Sequence, residues 1–536
     1  MFGEWITDGI FVPSGSLSIL QGRLWIGLLL WKLLSSQPIS GQKQSTAWST
    51  WTTVDWLYTM FGLNSSIGLT KLAVRYDNVC RILNRELDRS DHQSAYRPGS
   101  LLHRFQNDEK LQVERPTAIE ELASLHKQYG DVVSFKALGN TIVVLNSYKA
   151  IQEAAVLNRH KVGRCTLTVN HWLAKGHGIS NYDTPRALNL RRALFRHLYG
   201  QEEVIDYLTD KDTGYELTRT IKQEIGHLLK TLEGTQGTPV LVAPLMRLTV
   251  WRIMWQLVFG SSCKMDAEEI IYLLQQISSN NMENGVLQIN QQLPKCLLHV
   301  VDCIKPVQRL LGMDKLAVRY DNVCRILNRE LDRSDHQSAY RPGSLLHRFQ
   351  NDEKLQVEKE ELRRLIFELM AAGTDTSSMT LTWACAYMAE HPGHFQEAVG
   401  DIQMNNIHRY ASVVPLGLPH IARESMNILG YYVPAGATVL FNLQAVHQAQ
   451  MDDRGGSGTT PIPFSIGSRD CPGSRFANKL LQDIVGAISD RFSVEVTDDN
   501  IRNQLDADNP DRKARVSKGL TRGPADGLYI FRVKSD

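Results

Sequence analysis

Residues 463 to 476 read PFSIGSRDCPGSRF, and this short stretch decides how the chain is interpreted. One cysteine, Cys471, lies in it, with Gly467 four residues before and Gly473 two residues after. Glycines permit a tight loop whose amide groups turn toward the sulfur. Pro472 has no N–H, so Gly473 and Ser474 are the nearest donors.

A helical pattern begins directly behind this loop, at Ser474. Apolar residues recur in it at helical spacing: Phe476, Leu480, Leu481, Ile484, Val485 and Ile488. Such a helix directs its positive dipole end and the N–H of Ser474 toward Cys471, which favours a thiolate. The residues alone fit a sulfur that binds a soft metal, or a buried cysteine in a glycine-containing turn.

The spacing Phe-x-x-Gly-x-Arg-x-Cys-x-Gly resembles the haem-binding signature of the cytochrome P-450 family at every fixed position. Its members here are Phe464, Gly467, Arg469, Cys471 and Gly473. The resemblance implies that Cys471 is the axial thiolate ligand of a haem b iron and that the other four contact the cofactor. It also implies a mainly α fold with a small β portion, in which haem lies between a long central helix and the cysteine loop.

That long helix is predicted over Lys359 to about Glu390, with acidic residues in its first turn and His391-Pro392 closing it. In its middle, AGTDTS at residues 372–377 is a poor helix former and resembles the oxygen-binding motif of the same family. The resemblance implies that Gly373 leaves room for O2, and that Asp375 and Thr376 relay protons. Hydroxyls bonded back to the helix backbone are the alternative.

Two further positions resemble contacts to haem propionates. Residues 178–197 resemble a helix in which a tryptophan and, four residues later, an arginine bind one propionate. Arg191 occupies the arginine position, whereas Ala187 replaces the tryptophan. A solvated arginine-rich face is the alternative for Arg191. His420, which follows Pro419, resembles a second propionate contact.

Composition describes a globular chain of 536 residues, 43% hydrophobic and 22% charged. A formal net charge of +2 predicts no nucleic-acid partner. No dinucleotide-binding signature is present, and the family resemblance implies electrons from NADPH through a separate reductase. It further implies insertion of one oxygen atom of O2 into a small lipophilic substrate. Arg469, Arg475 and Lys479 form a candidate surface for an acidic reductase.

Residues 1–70 form a poorly defined segment and a candidate membrane anchor. The apolar run Leu24 to Trp31 is only eight residues long, against about 20 for a spanning helix. A partly buried helix is the alternative. The family resemblance implies the cytoplasmic face of the endoplasmic reticulum membrane, with a mitochondrial or a soluble protein as alternatives.

The chain carries an identical internal repeat, because Lys71 to Glu114 and Lys315 to Glu358 are the same residues. Tandem repeats diverge, so this pair indicates a recent duplication or an error in the assembled coding sequence. We assign no function to the first copy, and we assign residues 115–536 to one haem domain.

Some features depart from the family pattern. Asn406 stands where a glutamate is expected three residues before Arg409, and the intervals on both sides of Arg409 are short. A catalytically impaired relic, or an incorrectly assembled coding sequence, is therefore one alternative. A haem-thiolate isomerase or dehydratase that needs no O2 is another, against which the pair Asp375 and Thr376 argues.

Overall fold

The computed structural model describes most of the chain beyond residue 128. The described residues are 129–137, 140–165, 176–211, 216–266, 269–270, 313–333, 344–395, 397–452, 461–496, 521–524 and 528–534. The candidate anchor at 1–70 and the first repeat copy at 71–114 lie outside them.

Helices dominate the described part of the chain, as predicted. They are α1 (Tyr148–Gln152), α2 (Pro185–Tyr199), α3 (Glu202–Leu208), α4 (Glu216–Gly234), α5 (Val242–Phe259), α6 (Met313–Arg333), α7 (Leu345–Gln350), α8 (Lys359–Glu390), α9 (Asp401–Ala411), α10 (Leu443–Asp452) and α11 (Ser474–Arg491). A π-helical turn, Glu153–Leu157, continues α1, and 3-10 turns occupy Pro392–Phe395 and Gly467–Arg469. Across these ranges, no helix is both long enough and apolar enough to cross a membrane.

The long helix α8 has the predicted bounds. Glu358 forms a capping box with Glu361 at its start, and His391 ends it before Pro392. Its 32 residues make a rod of about 48 Å. Helix α5 packs along it, and the shared core includes Trp251, Trp255, Leu365, Ile366 and Trp383. Because α8 is buried on most sides, polar residues in it need partners or a cavity.

Strands form a smaller part of the structure. They are β1 (Val132–Ala137), β2 (Asn140–Leu145), β3 (Val162–Arg164), β4 (Val240–Leu241), β5 (His420–Ala422), β6 (Met426–Ile428), β7 (Tyr431–Val433), β8 (Thr438–Phe441), β9 (Phe492–Val496) and β10 (Leu528–Val533). The largest sheet has the order β1-β2-β8-β5-β3, in which only the β2–β8 pair is parallel. The others are β4-β10-β9 and the hairpin β6-β7.

The large sheet brings two buried basic side chains together. Strands β3 and β5 pair antiparallel with Arg164 opposite His420. Both side chains are buried, and the aromatic ring of Phe441 from β8 stacks on His420 with centroids 4.1 Å apart. The sheet therefore presents a histidine and an arginine side by side at one edge.

The second repeat copy contributes α6 and α7 and is integrated into the helical core. Tyr320 of α6 packs edge to face on Phe367 of α8, with centroids 4.8 Å apart. Phe349 of α7 packs on His197 of α2 in the same manner at 4.8 Å. This copy is therefore a structural part of the helical layer.

Candidate functional site

The cysteine loop lies between the 3-10 turn Gly467–Arg469 and helix α11. Cys471 is half-buried, and its N–H donates a 2.8 Å hydrogen bond to the backbone oxygen of Phe464. Gly467 has φ +85°, and a Cβ there would lie 2.2 Å from the backbone oxygen of Ala155. Glycine is therefore required at 467. Gly473 has φ −90°, and a Cβ there would enter open space, so the backbone does not require it.

The electrostatic environment of the Cys471 sulfur combines opposing effects. Burial raises the pKa of the thiol, while the backbone N–H of Gly473 and the positive charge of Arg191 lower it. The N–H of Ser474 donates instead to the backbone oxygen of Cys471 at 3.3 Å. Of the two predicted donors, Gly473 donates to the sulfur and Ser474 does not. The neutral thiol is favoured until a metal cation competes for the sulfur.

Arg164 is a buried cation beside this loop that the sequence motifs missed. Its Nη2 donates to the backbone oxygen of Arg469 at 2.8 Å, and its Nη1 donates to the backbone oxygen of Leu418 at 3.0 Å. Burial, and then the charges of Arg469 and Arg191, lower the pKa of Arg164 to about 9. The one signal in the sequence is an arginine within the short run VGRC at 162–165.

Arg191 is placed against the same loop by helix α2. Its Nη2 donates to the backbone oxygen of Asp470 and to Oδ1 of the same residue at 3.0 Å. Burial lowers the pKa of Arg191 even though Asp470 opposes the effect. Ala187, at the expected tryptophan position, is buried one turn earlier in α2, and the residues before Pro185 are not helical. The structure thus turns Arg191 toward the cysteine loop and not into solvent.

Arg469 is the third buried guanidinium, with 5% of its side chain exposed. It forms an ion pair with Asp183, which also accepts a 2.5 Å hydrogen bond from Arg423. Its Nη1 has no hydrogen-bond acceptor among the described residues. A buried guanidinium N–H without an acceptor is costly, so this atom marks where an anionic group fits.

His420 completes the group. Its Nε2 lies 3.0 Å from Nη1 of Arg164, and because a guanidinium only donates, Nε2 accepts this bond. Burial, and then the charge of Arg164, hold the pKa of His420 well below its usual value. The imidazole is therefore neutral and adds no further positive charge.

Taken together, the cysteine loop fits haem. Three guanidinium groups, from Arg164, Arg191 and Arg469, converge beside Cys471, and burial lowers the pKa of each. Two carboxylates on a bound cofactor would offset this charge, and guanidinium groups bind carboxylates well. The thiol of Cys471 supplies a ligand of the type that haem iron accepts.

A second group of predicted residues lies on α8. From Thr374 to Met388, Thr376 is the one residue that is not buried, and Ala372, one turn before it, is exposed. The hydroxyl of Thr376 donates to the backbone oxygen of Ala372 at 2.7 Å, which is the back-bonding considered above. Between Thr374 and Met388, helix α8 is therefore partly exposed only at Thr376.

Asp375 points elsewhere. The residue is 3% exposed, and its carboxylate accepts a 2.9 Å hydrogen bond from Oγ1 of Thr521. Gly373 faces α5, because a Cβ there would lie 2.5 Å from Cε of Met254. Its lack of a side chain thus allows Met254 to approach α8.

Fold and site together define a haem-binding oxidoreductase. A family model described as "Cytochrome P450" matches residues 107–405 and 404–451, more than half of the chain. The chain belongs to the cytochrome P450 family. The matched residues end before 463–476, so the cysteine stretch is a separate line of evidence for the same family.

Similar proteins from several animals carry the same family name. Cytochrome P450 2D16 of Cavia porcellus is 23% identical over 440 residues, which cover 72% of this chain and 84% of the relative. Cytochrome P450 2A2 of Rattus norvegicus is 24% identical over 71% of this chain and 84% of the relative. Cytochrome P450 2L1 of Panulirus argus is 23% identical over 70% of this chain and 84% of the relative. The chain is accordingly a haem-dependent monooxygenase, whose family uses O2 and electrons from NADPH.

Proposed function

We propose that this chain binds haem b through Cys471 and inserts one oxygen atom of O2 into a small lipophilic substrate, with electrons delivered by a separate NADPH-dependent reductase. The observation that carries the proposal is the convergence of Arg164, Arg191 and Arg469 beside the half-buried Cys471. When bound, the haem supplies the activation of O2 that no side chain provides.

The protein's part on the cysteine side is to hold the cofactor. Arg164, Arg191 and Arg469 would bind its two propionates, and Nη1 of Arg469, which has no acceptor among the described residues, would donate to one of them. Gly467 lets the loop approach the backbone at Ala155 closely enough to present the sulfur. Phe464 accepts the N–H of Cys471, which fixes the direction of the cysteine backbone. Gly473 leaves the space beside the sulfur free for the cofactor.

On the opposite side, α8 provides the reaction space. Its partly exposed face comprises Leu369, Ala372 and Thr376, two of which carry no polar side-chain atom. A surface of this kind fits a lipophilic substrate, while the Thr376 hydroxyl is the polar group available to hold or move a proton. Asp375 is buried beside it and holds the motif to the Thr521 segment.

The decisive experiment is the difference spectrum of the reduced protein with carbon monoxide. We expect the thiolate-type band for the native chain and its loss in Cys471→Ala. Cys263→Ala is the matched control, because Cys263 is also half-buried, and it should retain the band. A folded protein without haem absorbance, or a band that survives in Cys471→Ala, would contradict the proposal.

Oxygen consumption separates the reaction classes. For a monooxygenase, we expect O2 uptake and NADPH oxidation in proportion to product when a reductase is present. An isomerase or dehydratase would form product without either. The same assay identifies an impaired relic, which would show the thiolate-type band but no coupled O2 uptake.

The reductase would dock on a basic surface around α2 and the start of α11. Arg192 and Arg475 are exposed there, and the Arg475 guanidinium lies 5.0 Å from the ring centroid of Tyr199. Two residues of the sequence-based surface fit less well. Arg469 is buried, and Lys479 is paired with Asp210 and Asp483 at 2.7 Å each.

Charge reversal tests this docking surface. Arg192→Glu with Arg475→Glu should weaken reductase binding and flatten its salt dependence, since rim charges act mainly on association. Arg532→Glu is the control, because Arg532 is exposed but pairs with Glu495 in the sheet β4-β10-β9. Unchanged turnover in the double variant would exclude this surface.

Attachment to the endoplasmic reticulum membrane, with the enzyme on the cytoplasmic face, is proposed through residues 1–70. The apolar run Leu24–Trp31 and the tryptophans Trp48, Trp51 and Trp56 support interfacial contact. Removal of residues 1–70 should move the protein from the membrane fraction to the supernatant. An unchanged distribution would assign attachment to another part of the chain.

A further inference from the structure

A buried histidine of α10 links two elements near the cysteine loop. The N–H of Ile462 donates to Nε2 of His447 at 3.2 Å, and Nδ1 of His447 lies 2.9 Å from Oγ of Ser412. Because Nε2 accepts from a backbone N–H, the proton of the neutral ring lies on Nδ1 and is donated to Ser412. The Ser412 hydroxyl then donates to the backbone oxygen of Arg409 at 3.0 Å.

One end of this hydrogen-bond chain is the C-terminus of α9. Ser412 adopts φ 39° and ψ 53°, a left-handed conformation that is uncommon for serine. Its N–H donates to the backbone oxygen of His408 at 3.0 Å. The backbone and side-chain bonds of Ser412 together maintain this conformation, so the position of its hydroxyl is well defined.

The other end is the segment that leads to the cysteine. After Ile462, the N–H of Ser465 donates to the backbone oxygen of Ile462 at 3.0 Å. Phe464, within this turn, accepts the 2.8 Å hydrogen bond from the N–H of Cys471. A shift of Ile462 would therefore be transmitted through two hydrogen bonds to the backbone of Cys471.

A second histidine supports the same segment from α9. The ring of His408 packs edge to face on Phe464 with centroids 5.4 Å apart. Its Nε2 lies 3.2 Å from Oδ1 of Asn478 in α11, the helix behind Cys471. The segment is thus held on one side by packing and on the other by the hydrogen bond from Ile462 to His447.

We propose that His447 is a positioning residue for Cys471, which it serves by holding Ile462 at a fixed distance from the end of α9. The inference rests on the proposed role of Cys471 as the axial ligand. Burial, and then the charges of His408 and Arg409, lower the pKa of His447 to about 3. Near neutral pH the ring therefore keeps one donor and one acceptor, as this arrangement requires.

Three variants test the proposal. His447→Phe keeps a ring but removes both hydrogen bonds, and His447→Gln retains one donor and one acceptor. His197→Phe is the matched control, because His197 is also largely buried and bonds Asp352 at 2.8 Å, on the α2 side of the fold. Each purified protein is examined by hydrogen exchange of residues 461–473 and by the carbon monoxide difference spectrum.

We expect His447→Phe to speed exchange at 461–473 by about tenfold, because local opening becomes easier. It should also reduce the share of the thiolate-type band. His447→Gln should recover most of both properties, and His197→Phe should leave exchange within about twofold of the native protein.

Native exchange rates in His447→Phe would overturn the proposal, as would equal losses in His447→Phe and His447→Gln. If the variants change hydrogen exchange as expected but the native chain shows no thiolate-type band, the haem role of Cys471 is overturned. The positioning of an axial ligand is then overturned with it. Hydrogen exchange needs no haem, so the two failures are distinguishable.

Discussion

Thr521 donates a 2.9 Å hydrogen bond to the carboxylate of Asp375, in the middle of α8. The next residue, Arg522, donates to the backbone oxygens of Tyr410 and Ala411 at 3.0 and 2.8 Å, and its guanidinium lies 4.6 Å from the ring centroid of Trp383. The segment that contains Thr521 and Arg522 therefore connects α8 to α9. It also supplies a hydrogen-bond donor to Asp375, the residue that the sequence motif pairs with Thr376.

Replacement of Thr521 by valine should destabilise the protein by about 1 to 3 kcal/mol, because a buried carboxylate loses a donor. Thr382→Val is the control, since among the described residues the Thr382 hydroxyl bonds only back to the Ser378 backbone oxygen, at 2.8 Å. Urea unfolding midpoints measure both changes. Equal shifts in the two variants would show that the hydrogen bond to Asp375 contributes no more to stability than the bond from Thr382 to its own helix.

Thr376→Val should lower the rate of product formation at least about tenfold, because the isosteric side chain has no hydroxyl to deliver a proton. Thr376→Ser keeps the hydroxyl and should retain most of the activity. The measurement is the rate of product formation at equal concentrations of haem-loaded protein and reductase. If valine is tolerated as well as serine, the hydroxyl takes no part in proton delivery.

The buried pair Arg364 and Glu368 should be strongly coupled. The side chains are each 7% exposed, and Nε of Arg364 lies 3.4 Å from Oε1 of Glu368. Glu368 also accepts from the N–H of Ile179 at 2.8 Å and from Ser180 Oγ at 3.2 Å. Glu368→Ala should cost about 3 to 5 kcal/mol, because it leaves a buried guanidinium without its partner.

The double variant Arg364→Met with Glu368→Met should cost less than Glu368→Ala, since no buried charge remains. Glu233→Ala breaks the exposed pair of Glu233 with Arg491 and should cost at most about 1 kcal/mol. Guanidinium unfolding gives the free energies. A double variant less stable than the single one would mean that the ion pair is favourable overall.

Acid should destabilise the fold through three neutral histidines. Burial lowers the pKa of His408 to about 4 and that of His447 to about 3, and holds that of His420 well below normal. The unfolded chain binds protons at these histidines near pH 6.5, whereas the folded protein does not. Their contribution to stability is therefore complete above about pH 6.5 and is lost as the pH falls toward the folded pKa values.

His408 and His447 should each remove about 2 kcal/mol from the free energy of unfolding between about pH 6.5 and pH 5. Denaturant titrations at the two pH values measure the difference. In the His408→Gln variant, the loss of unfolding free energy between the two pH values should be smaller by that amount. An equal loss with and without His408 would show that this histidine is protonated in the folded protein.

The sequence predicted elements whose determinants are local. The first-turn acids and the His391-Pro392 stop bound α8, and the apolar spacing behind Cys471 gave α11. The β1–β2 hairpin and its partners make the expected small β portion. These predictions succeeded because caps, turns and periodicity act between residues close in the chain.

The site was less predictable because its contacts join distant residues. Arg164 meets His420 only because β3 pairs with β5, 256 positions later, and Thr521 is 146 positions from Asp375. The divergence of Asp375 and Thr376 follows from helix geometry, since adjacent side chains point about 100° apart. A motif fixes which residues are neighbours in the chain, whereas the tertiary fold decides which partner each one finds.

The N-cap of α8 gives the internal repeat a boundary with physical meaning. Glu358, the last residue of the second copy, caps the helix together with Glu361, which lies outside the repeat. In the first copy the equivalent Glu114 is followed by Arg115, Pro116 and Thr117, so the reciprocal glutamate is missing. The duplicated block therefore ends at the start of a helix, where a length of coding sequence can be gained or lost without interrupting α8.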